Sequence, residues 1–430
     1  MNYTRILFFI TYIFAFIGSA LFAFPLGGIS VFPFRILMII LLIIMVFQVF
    51  YQREIKSTIF KDKYFCFFLL WWFYSIVQLF WSLDLNRSVE KIFFFTLMLL
   101  LFIFTSYLIN EINQFVVLFY IIVISVIIIN LFGWINVFSG KYLSSSRFYN
   151  SDLISLVPYN IPTSVFTNEN DLGVFLATMV PFFLSAIEFN KKIKIKLIFI
   201  FLLISNMILI ILTGSRGSFL ALGIGIFLYL ISLYAYRSKL TVKQISGNVF
   251  LASILIVAFT VIIANIGTAI SFTYNFIYND ASNDIRINLI KNGFQFLQST
   301  YGFGIGLGSF ESYMLTKGPN YYASDIINIH NWLAEIFVES GFLIGTLYIL
   351  VYVSILKNIY KIYIKTQHNN TKMITKTLLI ALLVLLIASN VPSSFFQFRT
   401  HWILVSLSVV FLTVYKKHIE PNKEEIIRSK

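Results

Sequence analysis

The chain has few charged residues and almost no cysteine. Charged residues make up 12% of its 430 positions, whereas hydrophobic residues make up 59%. So few charges cannot cover the surface of a soluble protein of this size, which excludes a soluble enzyme or binding module. The single cysteine, Cys66, excludes an intramolecular disulfide and gives no sign of redox chemistry or of a cysteine-based metal site.

Long apolar runs predict an all-α, polytopic membrane protein. At roughly 20 residues per crossing they predict about twelve transmembrane helices, with a large extracytoplasmic loop between helices 9 and 10. The runs lie near 5–24, 36–51, 64–82, 92–109, 115–139, 171–189, 197–213, 217–236, 249–268, 331–356, 374–392 and 400–415. The predicted regions are therefore helices 1–5 in 1–139, an outer loop at 140–170, helices 6–9 in 171–268, the large outer loop at 269–330, helices 10–12 in 331–415, and a cytoplasmic tail at 416–430.

The positive charge of the chain is explained by its membrane topology. If Arg5 is cytoplasmic, the segments on its side carry most of the lysines and arginines, which predicts that both termini lie in the cytoplasm. A net charge of +14 could indicate nucleic acid. The basic residues are dispersed over short loops, however, so we expect contacts with membrane lipids and no nucleic-acid partner.

The turn Thr213–Ser218 carries the only charged residue of a long apolar stretch between Lys196 and Arg237. A membrane helix hairpin needs small residues to reverse direction, but it does not need a guanidinium. Because guanidinium is a preferred group for holding phosphate, we expect Ser215 and Arg216 to belong to a substrate site.

The large outer loop carries two further patterns. Residues Ile287, Ile290, Phe294 and Leu297 recur at helical spacing and predict an amphipathic helix against the membrane or the bundle, with Arg286 at its beginning. Downstream, glycine alternates with apolar residues over 301–308, including Gly304 and Gly306. This pattern indicates either a flexible loop or a backbone surface that a ligand approaches closely.

The next apolar run begins with a stripe of polar residues. At 100° per residue, Asn331, Glu335 and Glu339 lie on one face of a helix. Buried carboxylates are costly in a membrane helix, so they should face the bundle interior with partners such as Arg216 or Arg286. They are either ion-pair members that lock helix packing or substrate-binding groups.

Two other positions have alternative interpretations. His330 points away from the carboxylate stripe and is either a helix-capping or interfacial histidine or a proton acceptor at the outer mouth of the bundle. The sequence Asn168-Glu169-Asn170-Asp171 precedes another apolar run. These side chains suit a helix N-terminus, but four polar residues exceed what a cap requires and could also bind sugar hydroxyls.

The order of these motifs resembles that of the O-antigen ligase and polymerase superfamily over roughly residues 160–400. The motifs that carry the resemblance are Asn168-Glu169-Asn170, the turn Thr213–Ser218, Arg286, the glycines from Gly302 to Gly308, and His330-Asn331. This chain has Asn-Glu-Asn where the commoner pattern is Asn-Pro-Asn, which puts any role of the middle position in question.

The resemblance implies a metal-independent, inverting glycosyl transfer on the outer leaflet of a bacterial inner or plasma membrane, without a cofactor. The donor would be an undecaprenyl-diphosphate-linked oligosaccharide, and the acceptor a hydroxyl of a lipid-linked glycan or of lipid A core. Arginines matching Arg216 and Arg286 would engage the donor diphosphate, and a histidine matching His330 would be the base. Substrate-binding residues are then expected at Asn168, Asn170, Ser215, Gly304, Gly306, Asn331 and Glu335.

The chemistry of the residues agrees with this expectation. Two fixed guanidiniums can stabilise a leaving diphosphate, and a positioned imidazole can take the proton of an attacking hydroxyl. Within the family we favour a polymerase over a ligase, because the Asn-Glu-Asn-Asp variant and the ending from Ser394 to Trp402 resemble those of proteins for capsule, exopolysaccharide or teichuronic-type polymers. A flippase for lipid-linked saccharides is the competing class, although it should show ionisable residues near the midplane and two related halves. Asp280 and Asp284 leave a weak metal alternative open.

Overall fold

The computed structural model of the chain describes residues 3–26, 29–52, 59–151, 159–238, 282–324, 326–390, 394 and 396–419. Helices dominate these ranges, and one short antiparallel hairpin pairs β1 (Phe24–Leu26) with β2 (Ile29–Val31). The predicted all-α fold is confirmed. The helices are α1 (Tyr3–Ile17), α2 (Pro33–Gln52), α3 (Lys63–Val77), α4 (Leu85–Leu108), α5 (Ile112–Ser139), α6 (Glu169–Phe189), α7 (Ile193–Leu212), α8 (Arg216–Ser238), α9 (Ser282–Ser299), α10 (Phe310–Thr316), α11 (Trp332–Ser340), α12 (Phe342–Lys365), α13 (Asn369–Ala388) and α14 (Arg399–Ile419).

Within the described ranges, nine helices are long and apolar enough to cross a membrane, namely α2 to α8, α12 and α13. Helix α1 is apolar but has only 15 residues. The predicted crossing at 249–268 and the first part of the predicted loop 269–330 lie outside the described residues. A polytopic membrane protein is therefore confirmed, while the number of twelve crossings and the region boundaries stay predictions.

The predicted crossing at 331–356 is wrong as a single helix. Gly341 separates α11 from α12, with φ 92° and ψ 166°. A side chain at this position would place its Cβ 2.6 Å from the carbonyl oxygen of Phe303. Glycine alone tolerates both the backbone conformation and the close approach, and hydrophobic periodicity does not report such a break. The membrane-crossing helix is therefore α12, and α11 is a separate short helix.

Buried aromatic rings hold α3, α4 and α14 together. The rings of Phe95 and Trp402 lie 4.8 Å apart, and Trp71 lies within 5.8 Å of both Phe396 and Trp402. Aromatic pairs at these separations add stabilisation beyond the burial of their surface. This cluster fixes the chain at the beginning of α14, which lines the cavities described below.

The described part of the predicted outer loop, together with α11, has a small hydrophobic core of its own, and we call this region the outer-loop unit. The core consists of Leu289, Phe296, Ile305, Phe310, Met314, Ala323, Ile329, Ala334 and Val338. This core joins α9, the glycine-rich segment, α10 and α11 into one packed unit, in which α9 lies against α11. Residues 285 and 329, which directly precede Arg286 and His330, both pack in it or against it.

Helix α9 confirms the predicted amphipathic helix, but its packed face differs from the predicted one. Ile287 and Phe294 are exposed, whereas Leu289 and Asn292 are fully buried. Asn292 takes a core position because both ends of its side-chain amide are hydrogen-bonded. Its nitrogen donates to the backbone carbonyl of Tyr321 at 2.8 Å, and its oxygen accepts from the backbone amide of Tyr321 at 2.9 Å. A polar residue with both hydrogen bonds satisfied can be buried. The spacing of apolar residues alone therefore predicted the wrong buried face of α9.

The glycine-rich segment is packed rather than flexible. Its four glycines have φ between 77° and 95°. A Cβ on Gly304 would lie 2.5 Å from the amide nitrogen of Gly341. The segment is also hydrogen-bonded to the end of α11, from Ile305 N to Val338 O at 2.9 Å and from Gly306 N to Glu339 O at 3.0 Å. The flexible-loop interpretation of this segment is therefore wrong.

Candidate functional site

The N-terminal ends of several helices meet at one end of the bundle. Arg35 at the beginning of α2, Glu90 of α4, Asp171 of α6 and Arg399 of α14 line a single cavity of about 360 Å³. We call this region the cavity end of the bundle. Helix N-termini carry partial positive charge, so their convergence favours an anionic ligand here.

The turn before α8 lies beside the beginning of α6. A Cβ on Gly173 would lie 2.5 Å from the hydroxyl oxygen of Ser218 and 3.1 Å from that of Thr213. The structure thereby brings together two motifs that are forty residues apart in sequence. Gly214, with φ 65°, makes the reversal of direction possible.

Arg216 is the first residue of α8 and is exposed. Within the described part of the chain it forms no ion pair. A free guanidinium beside a helix N-terminus is suited to hold a phosphate. Ser215 is buried, and its hydroxyl accepts a hydrogen bond from Ser218 Oγ at 2.9 Å. Its substrate-binding role stays a prediction.

Asn168 acts as the cap of α6. Its side-chain oxygen accepts from the amide of Asp171 at 2.9 Å, and its amide group donates to the Asp171 carboxylate at 3.1 Å. The neighbouring Glu169 is paired with Arg147 at 2.6 Å. Asn170 is half-buried, and in the described structure its side chain has no hydrogen-bond partner. Of the two asparagines of this motif that were predicted to bind substrate, Asn170 is therefore the one whose amide is available.

Asn331 caps α11 in the same manner, accepting from the amide of Ala334 at 2.8 Å. Its amide group also donates to the side-chain oxygen of Asn390 at 2.8 Å. His330 directly precedes this cap with φ 49°, in the left-handed region that few non-glycine residues adopt. Its backbone is therefore fixed by the cap on one side and by the buried Ile329 on the other.

Arg286 lies in the first half of α9 and is half-buried. Burial lowers the pKa of its guanidinium from the ordinary value, although an arginine stays charged near neutral pH. Like Arg216, it forms no ion pair with any described residue. The packed outer-loop unit holds Arg286 and His330 on neighbouring elements. The convergence of both with Arg216 stays a prediction.

A second cavity of about 310 Å³ is lined by the carboxylates of Glu335 and Glu339, by Lys91 and by residues 328 and 329 beside His330. We call it the carboxylate cavity. Lys91 of α4 lies 3.1 Å from Glu335 Oε1 and 3.1 Å from Glu339 Oε2. The predicted partners, Arg216 and Arg286, are therefore wrong, because the counter-charge comes from α4.

The Glu335 carboxylate has further partners. Ser394 donates to Oε1 at 2.7 Å, and the amide of Phe396 donates to Oε2 at 3.2 Å. A carboxylate held by an ammonium, a hydroxyl and an amide is strongly positioned. This geometry favours the ion-pair interpretation of Glu335 over direct substrate binding, which stays a prediction. Gly304 and Gly306 pack against α11 and so have a clear structural role. Their substrate-binding role also stays a prediction.

Ion pairs and hydrogen bonds anchor the outer-loop unit to α4. Arg87 pairs with Glu311 of α10, and Ser312 donates to the Asp84 carboxylate at 2.6 Å. The hydroxyl of Ser88 donates to the carbonyl of Leu307 at 2.6 Å. These contacts fix α10 and the glycine-rich segment over the beginning of α4, and thereby form one wall of the carboxylate cavity.

Sequence reasoning missed three cationic residues that line the two cavities, namely Arg35, Lys91 and Arg399. Each lies at the edge of an apolar run. Lysines and arginines at such edges commonly reach lipid headgroups, so their position in sequence does not distinguish them. One available signal was the stripe of Glu335 and Glu339, whose buried charges require a cation from another helix.

Comparison with known proteins agrees with the motifs. A family model described as O-Antigen ligase matches residues 197–350, which contain Arg216, Arg286 and His330. The Teichuronic acid biosynthesis protein TuaE of Bacillus subtilis (strain 168) is 28% identical over 423 residues, covering 94% of this chain and 83% of that relative. These matches support the O-antigen ligase and polymerase family. They also support a membrane glycosyltransferase-like role in surface polysaccharide assembly. Asn168 and Asn170 lie before the matched segment.

Proposed function

We propose that this protein polymerises oligosaccharide repeat units that are linked to a polyprenyl diphosphate, at the extracytoplasmic face of a bacterial plasma membrane. The observation that carries the proposal is the presence of two guanidiniums, Arg216 and Arg286, that form no ion pair with described residues and lie in the segment matched by the family model. Unpaired cations at a membrane surface call for an anionic ligand, and a diphosphate fits two planar forks.

The proposed mechanism is an inverting transfer without a metal. The acceptor hydroxyl attacks the anomeric carbon of the donor sugar, and the bond from that carbon to the diphosphate oxygen breaks. Arg216 and Arg286 stabilise the negative charge that develops on the leaving diphosphate. His330 takes the proton of the attacking hydroxyl, a contribution of about 10²- to 10⁴-fold for a well-placed base.

Polymerisation is favoured over ligation to lipid A core or protein by one comparison. The relative from Bacillus subtilis is named for teichuronic acid biosynthesis, which is one of the polysaccharide classes that the sequence led us to expect. Both reactions use the same type of donor, so the proposed roles of Arg216, Arg286 and His330 hold for either.

Deletion of the gene in the source organism, followed by analysis of lipid-linked glycans, tests this proposal. Accumulation of single repeat units on the outer leaflet is the expected result for a polymerase. Accumulation of long lipid-linked chains would instead indicate a ligase, and units trapped on the inner leaflet a flippase. Product formation by the purified protein in the presence of EDTA tests metal independence. Inhibition that a divalent ion reverses would revive the alternative of Asp280, which lies outside the described residues, and Asp284.

A further inference from the structure

The 360 Å³ cavity contains two arginines that the proposed transfer mechanism does not use. Arg35 and Arg399 both line it, and we call it the arginine cavity. Their guanidinium carbons lie 4.9 and 5.6 Å from the centroid of the same ring, that of Phe32. Two like charges therefore lie against the same aromatic ring.

Neither guanidinium forms an ion pair with a carboxylate in the described structure. Glu90 and Asp171 also line the cavity, but neither forms an ion pair with Arg35 or Arg399 among the described residues. The Nε atom of Arg35 is buried without a hydrogen-bond partner, and its Nη1 donates to the carbonyl of Ser30 at 2.5 Å. Contact with an aromatic ring stabilises a cation only partly.

Neighbouring guanidiniums that form no ion pair are unfavourable in a partly desolvated site. The arrangement persists at little cost if an anion occupies the cavity when the protein works. The planar donors of two arginines fit the oxygens of a carboxylate or a phosphate, and the N-terminal ends of α2 and α14 add partial positive charge in the same place.

The arginine cavity adjoins the carboxylate cavity. Glu90, Ser394 and Gln397 line both of them, and the carboxylate cavity extends to the residues beside His330. Both volumes lie within the range of roughly 300–1,000 Å³ that is typical of ligand pockets. An extended, polar molecule such as an oligosaccharide could therefore reach from one cavity into the other, whereas a lipid headgroup would occupy one end only.

We propose that the arginine cavity binds an oxyanion, either a carboxylate or a phosphate, carried by the acceptor glycan. Arg216 and Arg286 do not line this cavity, so the donor diphosphate and the acceptor oxyanion have separate cationic sites. This inference rests on the proposed function, because that function supplies the glycan. Arg35 and Arg399 thereby select anionic acceptors and orient the hydroxyl that attacks.

Binding to the purified full-length protein in nanodiscs of phosphatidylcholine tests the inference. The probes are a glucuronic acid tetrasaccharide, its carboxyl-reduced neutral form, inorganic pyrophosphate, and nanodiscs that contain phosphatidylglycerol. We expect one of the two soluble oxyanions to bind and the neutral tetrasaccharide to bind at least about tenfold more weakly. Pyrophosphate is also expected at the donor site, so the oxyanion whose binding the Arg35 and Arg399 variants weaken identifies the acceptor group as a carboxylate or a phosphate.

Variants assign the binding to this cavity. Arg35→Gln and Arg399→Gln should each weaken the oxyanion at least about tenfold, a loss of about 1.4 kcal/mol. Lys141→Gln, which removes an exposed charge elsewhere, should bind as the wild type does. If either Gln variant fails to fold, Arg399→Lys keeps the charge, lacks the planar fork and should still bind more weakly than the wild type.

Several results would overturn the inference. These are equal binding of the neutral tetrasaccharide, no binding of either soluble oxyanion, unchanged binding in the Arg35 and Arg399 variants, and an effect of phosphatidylglycerol alone. Glycan synthesis by the wild-type protein tests the proposed function separately. A protein that makes product but whose Arg399→Gln variant binds and uses the acceptor normally would refute the arginine cavity and leave the transferase intact.

Discussion

The ammonium of Lys91 lies 3.1 Å from Oε1 of Glu335, in a pair whose side chains are 12% and 5% exposed. The pair joins α4 to α11, and Glu339 shares the same ammonium. Because α11 directly follows His330 and its cap, Lys91 fixes the position of the proposed base relative to α4. A lysine that the sequence presents as an interfacial residue is thus a positioning residue for the site.

Replacing Lys91 with Met should destabilise the protein by about 3–5 kcal/mol, because two buried carboxylates lose their counter-charge. The triple variant Lys91→Met, Glu335→Gln, Glu339→Gln should recover most of this stability, since no buried charge is left unpaired. Denaturant unfolding in detergent micelles measures both. A single variant as stable as the wild type would show that the carboxylates are neutralised in another way.

Gly304→Ala should destabilise the protein through both conformation and space. A left-handed residue with a Cβ costs roughly 1–2 kcal/mol, and a Cβ placed 2.5 Å from the Gly341 nitrogen adds overpacking of about 1–3 kcal/mol. Gly318→Ala is the matched control, because its φ of 74° is similar but no atom lies within 4 Å of the added Cβ. Equal midpoints of thermal unfolding for the two variants would contradict the close packing of the glycine-rich segment.

Hydrophobic patterns in the sequence were sufficient to predict the fold class and the amphipathic helix α9. They failed at Gly341, since a local backbone conformation interrupts a run of apolar residues without changing its composition. They also failed at Asn292, whose burial depends on hydrogen bonds to Tyr321 from a distant part of the chain.

Sequence patterns also identified only part of the candidate site. Arg216, Arg286 and His330 stand out in sequence because polar residues are rare in this chain. The partner of Glu335 could not be identified, because several lysines and arginines at the edges of apolar runs were equivalent candidates. Only the packing of α4 against the outer-loop unit distinguishes Lys91 from them.

The carboxylate of Asp84 should make the anchoring of α10 depend on pH. The hydrogen bond from Ser312, and next that from the amide of Arg87, lower the pKa of Asp84. Because the pKa of Asp84 is lower in the folded state, its carboxylate stabilises the fold above the unfolded-state pKa of about 3.9. This stabilisation is lost as the pH falls through the folded-state pKa. Asp84→Asn keeps a good helix cap and should lower the unfolding midpoint at pH 6.

The difference in unfolding midpoint between the wild type and Asp84→Asn should shrink below roughly pH 3.9 and vanish below the folded-state pKa of Asp84. Ser312→Ala should reduce the same difference at pH 6, because Ser312 provides the main cause of the shift. A difference between wild type and Asp84→Asn that stays constant from pH 6 to the acid limit would exclude the ionised carboxylate as its origin.

His330→Asn should slow glycosyl transfer by about 10²- to 10⁴-fold if the imidazole is the base. Asparagine is the suitable replacement because it tolerates the left-handed backbone at this position, where φ is 49°. The variant should retain the unfolding midpoint of the wild type and its binding of the lipid-linked donor. Loss of folding together with activity would instead favour a structural histidine, and normal turnover would remove His330 from the mechanism.

Arg216→Lys should reduce glycan output nearly as much as Arg216→Ala. Lysine keeps the positive charge at the beginning of α8, but it lacks the planar fork that contacts two phosphate oxygens at once. Arg5→Lys in α1 is the matched control, because it makes the same chemical change far from the turn in sequence, and it should leave output unchanged. Chain-length analysis of the lipid-linked glycans from complemented deletion strains gives the measurement. Output from Arg216→Lys near that of the wild type would show that a point charge is sufficient and would remove the bidentate diphosphate contact from the proposed mechanism.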